Sequence, residues 1–141
     1  SANPVLVPLV EELSLLPVPK LPGFLAIYGD NHIEIGSGTL PATLHSAVVS
    51  ASGLDMIAHI NAELFGGIGY HSATIWQDNE IYMEFPQTWT KDVTSWSEMP
   101  VNKTLREFGI IAGETDEFSI AGLGRFRSTD QWYQESLNTK G

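Results

Sequence analysis

Asp78-Asn79 lies between two runs of β-branched and aromatic residues in the stretch Ser72 to Phe85, SATIWQDNEIYMEF. Asp and Asn tolerate the positive φ that a tight primed turn demands, so the stretch predicts a two-residue β-hairpin. Such a loop pairs Gln77 with Glu80, Trp76 with Ile81, Ile75 with Tyr82 and Thr74 with Met83. One face then carries Thr74, Trp76, Ile81, Met83 and Phe85 toward a core. The other carries Ile75, Gln77, Glu80, Tyr82 and Glu84 in a half-wet layer. Upstream, Phe24 to Gly36 repeats the design around Asp30-Asn31, with Phe24, Ala26, Tyr28, Ile33 and Ile35 facing inward. Two such ribbons point to antiparallel sheet.

The remaining segments supply helices. Leu6, Leu9, Val10, Leu13 and Leu16 share one helical face after Asn3-Pro4, and Pro17, Pro19 and Pro22 end that helix. Thr43 to Ala51 fits helix or strand, with helix preferred. Ser52-Gly53-Leu54-Asp55 resembles a capping box, and Leu54, Ile57, Ala58, Leu64 and Phe65 then form the stripe of a central helix over about 53–65. Residues 87–100 lack a clear period and read as a functional loop or a missed strand. Phe108 to Ala112 and Glu117 to Phe126 read as strands. A short C-terminal helix, capped by Ser128 or Thr129, buries Trp132, Tyr133 and Leu137. The expected fold is α+β: a single domain over 1–141, with an antiparallel sheet or partial barrel built from hairpins and packed by three helices. A β-sandwich is the alternative if 43–51 is strand.

Charge narrows the partners. The 141 residues carry 17 acids against 7 Lys and Arg, a net charge of −10. Residues 1–90 hold nine acids and one base, Lys20. Phosphate contacts need clustered cations, so this balance argues against nucleic acid and against anionic membranes. A basic protein partner or a small ligand fits it. The absence of cysteine removes thiolate nucleophiles, disulfides and cysteine-ligated metals. No apolar run approaches the length of a membrane span. The compartment stays unassigned, and homo-oligomerisation stays open.

No phosphate-binding loop, nucleophile elbow or dinucleotide fingerprint occurs. On a central helix Asp55, His59 and Glu63 stack four apart, which suits a metal ion or a histidine poised by carboxylates; a solvated helix face explains the spacing more simply. His71 beside the central hairpin and Tyr82 within it complete the catalytic candidates. If the hairpins lie side by side, His32, Glu34, Glu80, Tyr82 and Glu84 share a sheet face able to bind cations. An ordinary wet face reads the same. Trp89 and Trp96, among Thr, Ser, Asp and Gln, suit sugar stacking or peptide contact. No metal site and no cofactor is expected. The leading function is a non-catalytic module that binds a basic protein, a sugar or a peptide. Its rival is a cofactor-independent isomerase, cyclase or dehydratase using His, carboxylate and Tyr in an apolar cavity.

Overall fold

The computed structural model describes residues 7–8, 14–15, 31–65, 68–110, 123, 131 and 134–135. The fold is α+β. In chain order come β1 (Val7–Pro8), β2 (Ser14–Leu15), β3 (His32–Ile35), β4 (Gly38–Pro41), α1 (Ala42–Ala51), β5 (Ile57–Phe65), β6 (Ile68–Gln77) and β7 (Glu80–Trp89). Two 3-10 turns, Thr90–Asp92 and Trp96–Glu98, then lead to α2 (Pro100–Glu107). The described strands make three antiparallel sheets, β1-β2, β3-β4 and β5-β6-β7. No closure into a partial barrel is seen among the described residues.

The central hairpin forms where expected. Asp78 and Asn79 both have positive φ, 56° and 67°, and Gln77 opposes Glu80 as Trp76 opposes Ile81. Beyond that pair the register slips. Ile75 opposes Met83, Thr74 opposes Glu84 and Ala73 opposes Phe85, so Tyr82 is the extra residue of a bulge. The slip moves Met83 and Phe85 onto the face of Ile75, and Glu84 onto the face of Thr74. The expected division into one core face and one wet face therefore fails. β6 is the middle strand and is covered on both sides, which leaves Ala73, Thr74, Ile75 and Trp76 at most 1% exposed.

The described residues from 31 to 110 form three layers. One face of the sheet carries Trp76, Thr74 and Ser72 of β6 with His59 and Asn61 of β5, and the β3-β4 hairpin and α1 lie over it. The other face carries His71, Ala73 and Ile75, and α2 packs on it through buried Val101 and Leu105. Helix α2 begins with proline at its first position and ends at Gly109, whose φ is +91°. There Gly109 N–H donates to Arg106 O and Ile110 N–H to Leu105 O, and both Ile110 and Leu105 are buried. This glycine-closed cap occupies Phe108 to Ile110, where a strand had been expected.

Other expectations are also corrected. The central helix over 53–65 is instead the strand β5, paired from Ile57↔Trp76 to Phe65↔Ile68. Ser52 does not start a helix; it ends α1, its hydroxyl donating to Val49 O at 2.7 Å. Val7–Pro8 pairs with Ser14–Leu15 where an N-terminal helix had been expected. Gly36-Ser37 is the turn joining β3 to β4, so His32–Ile35 pairs forward in the chain. Its expected partner in 24–29 lies outside the described residues, as do the strands expected over 111–126, apart from buried Leu123. Gln131, Gln134 and Glu135 are helical, while Trp132, Tyr133 and Leu137 fall outside the description.

Candidate functional site

Two places on the sheet gather polar chemistry. The first lies under the β3-β4 turn. Ser37 N–H donates to Thr74 Oγ1 at 3.1 Å, and the Ser72 hydroxyl donates to Ser37 O at 3.2 Å. Ser37 Oγ lies 2.6 Å from His59 Nδ1. Burial pushes the His59 imidazole down to about 4, so it is neutral near pH 7 and Nδ1 can accept the serine proton. A neutral imidazole against a hydroxyl is the geometry of an activated nucleophile. Here, however, Ser37 is only 1% exposed and all its polar atoms are engaged in holding the hairpin to the sheet. That burial closes the hydroxyl to solvent. Neighbouring Gly36 donates its N–H to Glu84 Oε1 at 2.9 Å, which ties the same turn to β7.

The second place is the far end of the sheet, in the segment after β7. Trp89 opposes Tyr70 across the strand pair, their rings tilted with centroids 5.0 Å apart. The chain then turns twice and leaves a half-open hollow of about 360 Å³. Trp96, Ile68 and Val93 give it apolar wall; Thr90, Thr94, Ser95 and Lys91 give it polar rim. Trp96 is 43% exposed and Ile68 63% exposed, large apolar groups left open to a ligand.

The segment bearing Trp96 is braced. Glu98 Oε2 accepts from Thr94 N–H (2.7 Å), the Thr94 hydroxyl (2.8 Å) and Ser95 N–H (3.0 Å). The Thr94 hydroxyl and these backbone donors hold the Glu98 carboxyl below its ordinary value. Asn102 Nδ2 donates to Trp96 O at 2.6 Å and Arg106 Nη2 to Ser97 O at 2.7 Å, anchoring the loop to α2. Asn102 is fully buried in this role, so the tripeptide Asn102-Lys103-Thr104 is no accessible glycosylation acceptor.

The strand β5 dissolves the proposed column of Asp55, His59 and Glu63. In an extended chain, residues four apart stand about 13 Å apart, too far to share a proton or ligand. Asp55 sits exposed in the bend before β5, and Glu63 is exposed on it. His71 is buried beneath α2, its Nδ1 accepting from Val101 N–H at 3.4 Å, with its ring 6.1 Å from that of Trp96. Tyr82 is 48% exposed at the bulge, and its hydroxyl lies 3.4 Å from Glu107 Oε1. His32 and Glu34 lie exposed on β3, in a different sheet from the exposed Glu80 and Glu84. Glu84 reaches the β3-β4 turn through its bond from Gly36 N–H. The structure thus brings Trp89 and Trp96 to one end of the molecule, and it separates Glu34 from Glu80 and Glu84 and Asp55 from Glu63. Among the described residues no group of three His, Cys, Asp or Glu side chains is placed to hold a metal ion, and no helix is long and apolar enough to cross a membrane.

Comparison with known proteins decides nothing further. The chain matches no family model, no curated protein and no solved structure. Its function is read from its own geometry.

Proposed function

We propose that the chain acts as one domain and is a non-catalytic binding module, and that the hollow at Trp96 is its ligand site. The observation that carries this reading is an exposed tryptophan set in a half-open, hydroxyl-rimmed hollow, on a loop fixed by a dense set of hydrogen bonds. A volume of about 360 Å³ suits a sugar ring or one or two peptide side chains. Indole faces stack on sugar rings or peptide groups, and serine and threonine orient their polar edges. Bracing the loop in advance reduces the ordering cost of binding.

The enzymatic alternative has one observation in its favour, the neutral His59 beside Ser37. No carboxylate or tyrosine joins that pair among the described residues, and Ser37 is sealed from solvent. Ser37→Ala should therefore lower stability and leave ligand binding intact.

Screening neutral sugars and short peptides by intrinsic tryptophan fluorescence tests the reading. A saturable ligand is expected, with affinity lost roughly 5- to 150-fold in Trp96→Ala, because a stacked aromatic contributes on the order of 1–3 kcal/mol at such a site. Ligands that bind Trp96→Ala as tightly as the parent chain would contradict it.

A further inference from the structure

The opposite end of the sheet carries a second feature, independent of the hollow. There the turn after α1 and the turn of the central hairpin are locked together. Asp78 N–H donates to Ser52 O at 2.9 Å and Asn79 N–H to Ser52 Oγ at 3.1 Å. The Asn79 side-chain amide donates to Val49 O (3.1 Å) and Ser50 O (3.2 Å). Gly53 leaves room for that amide: a Cβ there would stand 2.8 Å from Asn79 Nδ2.

This double turn holds Leu54 almost wholly in water, at 92% exposure, and Ile81 beside the hairpin turn is 47% exposed. Ordering a loop costs conformational entropy, and displaying a leucine from it gains no burial within the chain. Among the described residues the charges on and beside these two turns are all acidic. Asp55, Asp78 and Glu80 are all exposed on these two turns, and residues 31–90 contain six carboxylates and no Lys or Arg.

We propose that this knob is a docking surface for a basic protein, with Leu54 seated in an apolar pocket and Asp55, Asp78 and Glu80 meeting a cationic rim. Charge complementarity selects the occupant. A fixed apolar anchor inside a polar rim follows the general layout of a protein interface, an apolar centre with a charged or polar edge. An anionic membrane is excluded by repulsion, and a second copy of this chain would bring like charges together.

The test uses the full chain, isotopically labelled for NMR, and three short synthetic peptides. One alternates leucine with lysine; the second has serine for leucine; the third has glutamate for lysine. Binding of the leucine–lysine peptide should shift amides at 52–55 and 77–82, and rising salt should weaken it. Leu54→Ser should weaken it about tenfold, and Leu54 is exposed enough for that change to leave the fold intact. The pair Asp55→Lys and Glu80→Lys should abolish the preference for lysine over glutamate, while Trp96→Ala should change nothing. Shifts centred elsewhere, equal binding of the glutamate peptide, or indifference to Leu54→Ser would overturn the proposal. So would self-association, or adsorption to phosphatidylcholine vesicles, that Leu54→Ser removes.

Discussion

His59 shows how one side chain sets a pH limit on the fold. Its folded imidazole is held at about 4, below the ordinary 6.5, because burial disfavours the charged form. Between those values the unfolded chain binds a proton that the folded chain refuses. The contribution to stability is therefore complete above about pH 6.5 and is lost as pH falls toward 4, by roughly 3 kcal/mol in all. Urea unfolding of the parent chain should show this decline, and His59→Gln should flatten it. At neutral pH the same change should cost about 1 kcal/mol for the lost bond to Ser37. A parent stability level across that window would contradict the assignment. Glu98 shifts in the same direction for a different reason: hydrogen bonds favour its charged form. Its folded carboxyl is held low by Thr94 and Ser95, so the order it lends the loop is present above the ordinary glutamate range and is lost as pH falls through the folded value. Ligand affinity at Trp96 should drop in acid, and Glu98→Gln should remove that acid step. Nothing in the sequence announced Ser37, because its partners His59, Ser72 and Thr74 are 22 to 37 residues away.

The elements differ in how plainly their residues declare them. Asp78-Asn79 declares its hairpin, since few other residue pairs take two successive positive φ values cheaply. The bulge at Tyr82 leaves no such mark, because a one-residue slip depends on which face the neighbouring layers cover. β5 was legible but outweighed. Ala58, Ile60, Ala62 and Leu64 alternate with His59, Asn61 and Glu63, a strand period, and Ile60 falls off the helical stripe. The capping-box pattern at Ser52 favours helix against that period. α2 also had its signals: Pro100 at the first position, Val101 and Leu105 one turn apart, and Gly109 after the end. The hairpin turn yields a stability prediction. Asn79→Ala removes two side-chain hydrogen bonds and places alanine at φ 67°, so the urea midpoint should fall by the equivalent of about 1–3 kcal/mol. An unchanged midpoint would show that the double turn is not held by Asn79.

At the scale of the molecule, β6 is the organising strand. Both its faces are covered, one by the β3-β4 hairpin with α1, the other by α2, and its two ends present different chemistry. One end carries the acidic knob at Leu54, the other the aromatic hollow at Trp96. Of the two tryptophans the sequence singles out, Trp96 lines the hollow, while Trp89 belongs to β7 and stacks on Tyr70. The sequence did not indicate Ile68, which reaches the hollow from the start of β6. The most direct measurement is a proton NMR titration that follows the indole N–H signals of the four tryptophans as a screened ligand is added. The Trp96 signal should shift with saturation, while Trp76, 1% exposed in the core, stays still. Saturable binding that leaves Trp96 unmoved would contradict the assignment of the hollow as the ligand site.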